Sequence, residues 1–128
     1  MFEFGEFRAA SGQMLPYKIE CDHLLPGDLE CIANIMYPYL EPYGHVVGVP
    51  RGGLALARYF EKWKKRGCKT LLVVDDVWTT GGSMRAVIEG QMSLTRRGQP
   101  LYVDWQGVVI FARSRTPIKV RPFMIAMY

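Results

Sequence analysis

The sequence predicts a single-domain α/β fold, a mostly parallel, twisted sheet of about four to five strands with helices on both faces. Three observations predict it. Short apolar runs rich in β-branched residues recur as VVGV at 46–49, LLVV at 71–74 and VVIFA at 108–112, each long enough for a buried strand. Segments with helical spacing of apolar residues lie between them, giving strand, helix, strand, helix, strand. Two of the runs end in glycine loops, PRGG at 50–53 and TTGGS at 79–83. In a parallel sheet such loops share the edge at the carboxyl ends of the strands, where ligands bind.

At the N-terminus, Phe2, Phe4 and Arg8, then Leu15, Tyr17 and Ile19, alternate on either side of Ser11-Gly12. Two short strands around a glycine turn are expected over 1–25, ahead of an α/β core over 26–128. Asp28 follows Leu-Pro-Gly and reads as the N-cap of a helix carrying Leu29, Ile32, Ala33, Ile35, Met36 and Leu40 until Pro38 and Pro42 interfere. Residues 45–49 read as a strand too apolar for a sheet edge. Residues 54–65 read as an amphipathic helix with a basic end, stopped by Gly67. Residues 69–74 form the next strand, and 83–97 a third helix stopped by Gly98. Residues 107–112 and 122–127 are the last apolar segments, with a basic stretch between them.

At 128 residues with 49% hydrophobic and 22% charged composition, the chain can bury a core unaided. No apolar run approaches the roughly 20 residues of a membrane span. MFEFGEFR carries acids where a signal peptide needs a basic region, so a cytoplasmic protein is expected. Cys21, Cys31 and Cys68 show no C-x-x-C spacing and read as idle thiols. The net charge of +4 suits nucleic acid, a membrane surface or a phosphorylated small molecule, and does not choose among them. His23 and His45 are too isolated for a metal site.

The chemistry concentrates at 71–83. Successive side chains on a strand face opposite ways, so Asp75 and Asp76 serve different purposes. Two adjacent carboxylates after an apolar run are costly unless hydrogen-bonded or paired. Ribose hydroxyls are suitable donors and Mg2+ a suitable cation. In Thr79, Thr80, Gly81, Gly82 and Ser83, the glycines let backbone amides approach a phosphate, and the hydroxyls add donors at a helix N-terminus. Pro50, Arg51, Gly52 and Gly53 form a second strand-to-helix loop, with a cation in it. There is no G-x-x-x-x-G-K-[ST] for a P-loop kinase. A receiver domain needs an acidic pair where this chain has GVPRGG.

The string LLVVDDVWTTGGS at 71–83 resembles the ribose-5-phosphate and PRPP (5-phosphoribosyl pyrophosphate) motif of the type I phosphoribosyltransferases, a Rossmann-like fold. GVPRGG at 48–53 is similar to that family's pyrophosphate loop, which often contains a strained peptide. FGEFRAASGQMLPYKIECD at 4–22 resembles the substrate-side β hood of the orotate phosphoribosyltransferases. The resemblance implies Asp75 and Asp76 on the ribose hydroxyls and Thr79 to Ser83 on the 5'-phosphate. It implies Pro50 to Gly53 on pyrophosphate, and Ser11, Gly12, Tyr17, Lys18 and Arg113 near the base. It further implies Mg2+, carried by PRPP with Asp75 or Asp76 as its contact on the protein, and a homodimer.

Two departures stand out. Ala10 occupies the place of a family lysine before the Ser-Gly turn. The family's mobile catalytic loop has no room between Arg58 and Lys69, where only a helix end and a tight turn fit. The run Lys62, Lys64, Lys65, Arg66 and Lys69 reads as a solvated helix end, or as a replacement charge within one chain or across a dimer. The leading expectation is a phosphoribosyltransferase acting on PRPP and a nitrogenous base, orotate first. The alternative is a non-catalytic PRPP or nucleotide sensor. A nucleic-acid-binding module ranks last, for want of a recognised motif or an interleaved aromatic and basic stripe.

Overall fold

The computed structural model describes residues 2–8, 14–19 and 24–125, with side chains described from residue 24 onward. The N-terminal strands β1 (Phe2–Arg8) and β2 (Met14–Ile19) pair antiparallel as expected, with Phe4 opposite Tyr17 and Glu3 opposite Lys18. Ser11 and Gly12 lie outside the described residues.

The core begins with α1 (Pro26–Met36), which starts earlier than its sequence suggests. Leu25 is the N-cap and Pro26 the first helical residue, where the missing N–H costs nothing. Asp28 is therefore not the N-cap. It sits in the first turn, and its carboxylate reaches back to accept the Leu25 N–H at 3.0 Å. Strands β3 (His45–Gly48), β4 (Thr70–Trp78), β7 (Asp104–Ala112) and β8 (Val120–Ile125) form a parallel sheet in that order.

The expectation that 45–49 could not be an edge is overturned, since among the described residues β3 pairs only with β4. Its valines are half-buried because α2 (Gly53–Ala57) and the 3-10 turn after it cover the strand, not because a second strand flanks it. The basic helix expected over 54–65 is α-helical only for those five residues, and Arg58–Trp63 continues as 3-10 helix. Tyr43 explains part of this change. Its buried hydroxyl donates to the Phe60 carbonyl at 2.6 Å, while Lys64 N–H turns to the Glu61 carbonyl. Tyr43→Phe should lower unfolding free energy by about 1–2 kcal/mol in urea titrations, because it strands a buried carbonyl. Gly67 does not stop the helix. It lies past its end in the turn to β4, at φ 83.

α3 (Gly82–Met92) ends before Gly98. The sequence TRRGQP instead makes a hairpin of β5 (Thr95–Arg96) and β6 (Gln99–Pro100), turning through Arg97 and Gly98, both at positive φ. Both sheet faces are covered. Leu72, Val74, Val108 and Ile110 pack with α1 and α2, while Leu71, Val73 and Val109 pack with Met84 and Ile88 of α3. Gln106 ties the edge of this core down. It accepts the Glu41 N–H at 3.1 Å and donates to the Glu41 carbonyl at 2.6 Å. No helix among the described residues is long and apolar enough to cross a membrane.

Candidate functional site

Strand β4 runs on past its apolar stretch, so Asp75 and Asp76 lie within the strand rather than after it. Pairing with β7 continues through Asp75 opposite Val109, Val77 opposite Phe111 and Trp78 opposite Ala112. The strand's alternation sends the two acids to different faces. Asp75 joins Val77 to Met84 around a small hollow of about 50 Å³, the scale of a compact anion. Asp76 lies beside Gly52, where an added Cβ would sit 2.6 Å from its Oδ1. Each acid thus meets a different glycine loop.

The carboxylates also hold local backbone. Asp75 Oδ1 accepts the Asp76 N–H at 2.7 Å, and Asp76 Oδ1 accepts the Val77 N–H at 2.8 Å. Burial, followed by its contact with the Asp76 side chain, pushes Asp75 up to about 7. A protonated Asp75 can donate to its neighbour. A ligand bringing hydroxyl donors or a cation would favour its ionised form.

In the TTGGS loop, Gly81 takes φ 82 and caps α3, whose first intrahelical bond runs from Arg85 N–H to the Gly81 carbonyl. The amides of Gly82, Ser83 and Met84 come before that bond, at the positive end of an 11-residue helix. Trp78 forms the floor. An alanine Cβ at Gly81 would stand 2.8 Å from its ring Cζ3, and Arg85 lies over the same ring at 5.6 Å. Gly81→Ala should cost about 1–3 kcal/mol in thermal melts, since strain and overlap act together.

The PRGG loop contains a cis peptide between Pro50 and Arg51. It folds against β4 through Val49 N–H to the Val74 carbonyl at 2.8 Å, and closes on itself through Gly53 N–H to the Val49 carbonyl at 2.9 Å. Arg51 is exposed at this edge. The helix behind it is only five residues long, so the anion-facing amides there are the loop's own rather than those of a long helix.

Arg113 reaches the same edge, because its N–H donates to the Trp78 carbonyl at 2.9 Å. Ser114 Oγ donates to the Thr79 carbonyl, a brace that no sequence signal announces. Tyr17 and Lys18 are placed on β2, and Ser11 and Gly12 fall outside the described residues, so the hood's approach to the base stays an expectation.

The basic run is elsewhere. Lys65 N–H donates to the Tyr43 carbonyl, which fixes the turn at the amino edge of the sheet. About 16 Å of strand separates Thr70 from Asp75 at ~3.3 Å per residue, farther than a lysine reaches. These lysines do not serve the two acids of their own chain. Among the described residues no cluster of three or more His, Cys, Asp or Glu stands ready for a metal.

No protein-family model matches the chain. It is similar to the orotate phosphoribosyltransferase of Staphylothermus marinus, at 31% identity over 121 residues, taking in 73% of this chain and 59% of that protein. Those 121 aligned positions exceed 73% of this chain, so the relative carries residues inside the match that have no counterpart here. Among solved structures, orotate phosphoribosyltransferase from Aeropyrum pernix superposes with a TM-score of 0.67 at 21% identity, covering 97% of this chain and 87% of that one. Leishmania donovani UMP synthase gives 0.67 at 15% identity, covering 97% of this chain and 33% of that one. The chain has the type I phosphoribosyltransferase fold and resembles the orotate phosphoribosyltransferases in sequence and structure.

Proposed function

We propose that the protein transfers the 5-phosphoribosyl group of PRPP to a nitrogenous base, orotate first, with release of pyrophosphate. The observation that carries this reading is the division of the two acids between two glycine loops on one sheet edge. A 5'-phosphate suits the hollow at Thr79 to Ser83, a pyrophosphate suits Pro50 to Gly53, and the ribose between them meets Asp75 and Asp76. In the reaction the C1–O bond to pyrophosphate breaks and a C1–N bond to the base forms. The ionised acids favour positive charge developing on the ribose, and Arg51 faces the departing diphosphate.

Asp75 or Asp76 fits a Mg2+ that arrives on the substrate, since Mg2+ is commonly held by one or two carboxylates plus phosphate oxygens. When bound, it would neutralise diphosphate charge. Arg113, with Ser11, Gly12, Tyr17 and Lys18, is assigned to the base, and the working form is a cytoplasmic homodimer.

Pyrophosphate release in the presence of PRPP, Mg2+ and a panel of bases tests the proposal. Release with orotate is expected, and no release with any base overturns it. A second reading, a PRPP or nucleotide sensor, is favoured by the short connection between Trp63 and Thr70, which leaves no covering loop. Mg2+-dependent PRPP binding without turnover would select it.

A further inference from the structure

The amino edge of the sheet, away from Asp75 and Asp76, has a hollow of about 390 Å³ lined by Lys69, Arg96, Arg97, Gln99, Pro100 and Leu101. Three stretches of chain build it: the turn before β4, the β5–β6 hairpin and the lead into β7. Backbone ties hold them together. The Lys69 carbonyl accepts the Val103 N–H at 2.9 Å, and the Leu101 N–H donates to the Leu94 carbonyl at 3.2 Å. Arg97 at φ 53 and Gly98 at φ 78 form the tight two-residue hairpin turn that positions Arg96 opposite Gln99.

The cations here outnumber their counter-charges. Lys64 pairs with Glu61, Lys119 pairs with Asp104, and Lys62 lies over the Trp63 ring. Lys65, Arg66, Lys69, Arg96 and Arg97 are exposed, with no ion pair among the described residues. Three of them, Lys69, Arg96 and Arg97, line the hollow itself, which concentrates positive charge there. One phosphate engages two or three such groups. Around the three cations, a hollow of about 390 Å³ has room for more than one phosphate.

We propose that this hollow is a second anion site, separate from the glycine loops, for a ligand with consecutive phosphates: a free nucleoside polyphosphate or the backbone of a single-stranded oligonucleotide. The hollow is assembled from Lys69 and the stretch from Arg96 to Leu101, so no contiguous basic motif marks it in the sequence.

The test is fluorescence titration of the full chain with ATP and with a labelled short oligouridylate, at low and rising salt. At least one probe is expected to bind. For the oligonucleotide, the slope of log K against log salt should be about −1.4 to −2.1, as release from two to three phosphates requires. Tenfold tighter oligonucleotide binding identifies nucleic acid as the source, and ATP binding as tight or tighter identifies a free nucleotide. Arg96→Glu with Arg97→Glu should weaken binding at least tenfold while leaving pyrophosphate release unchanged, and Lys69→Glu should independently weaken binding at least tenfold. The proposal falls if neither probe binds at low salt, if the charge-reversed proteins bind like wild type, or if PRPP with Mg2+ displaces the probe.

Discussion

Asp75→Asn combined with Asp76→Asn is expected to lower pyrophosphate release by at least about 10²–10³-fold, the scale for removing preorganised charge from a transition state. The folded protein should nevertheless resist unfolding better than wild type at pH 8. The acids occupy the end of an apolar strand, Asp75 being 7% exposed. Burial raises its pKa from the ordinary 3.8 to about 7. A folded-state pKa above the unfolded one means that folding takes up a proton. The resulting stability is complete below about pH 4 and is lost as pH rises through about 7. The full shift corresponds to a ceiling of about 4 kcal/mol, of which at most about 2.6 kcal/mol falls between pH 5 and pH 8, so a loss of about 1–2.5 kcal/mol over that window is expected. Asparagine has no carboxyl proton to lose, so Asp75→Asn alone should flatten the dependence. Urea unfolding at both pH values checks it, and an unchanged slope in the variant would refute the assignment to Asp75.

Gly53→Ala is expected to remove more than about 3 kcal/mol of stability or to prevent folding, because its Cβ would lie 2.9 Å from both the Asp75 Cα and the Val74 carbonyl carbon. These are backbone atoms of the central strand, and no rotamer change relieves the overlap. Gly52→Ala next to it should behave differently. Its Cβ meets the Asp76 carboxylate, the end of a side chain, so the acid moves and the strand remains. A tenfold or greater fall in kcat with a stability change of about 1 kcal/mol is expected, read from steady-state kinetics and denaturant titration. Comparable unfolding by both substitutions would mean that the loop, rather than Asp76, absorbs the strain at Gly52.

The residues most legible in the sequence were those whose own chemistry restricts where they can stand. LLVV followed by two acids and TTGGS required a buried strand, an alternation of faces and a tight turn into a helix, and the structure has all three. Element ends were less legible, since they depend on partners elsewhere in the chain. β4 continues through Asp75 and Asp76 because β7 pairs with it. The helix after Gly53 tightens into 3-10 form where Tyr43 takes the Phe60 carbonyl. Gly98, read as a helix stop, serves a hairpin because Arg97 also adopts positive φ.

The sequence by itself therefore determined the strand and helix order of the core, both glycine loops and the acids between them, all of which follow from local periodicity and backbone freedom. Only the tertiary structure decided that Asp75 belongs with Thr79 to Ser83 and Asp76 with Gly52, that β3 lies at an edge among the described strands, and that the basic run faces away from the acids. Those outcomes depend on how strands align side by side. Register and strand order are settled by contacts between segments far apart in the chain, which a local pattern does not specify.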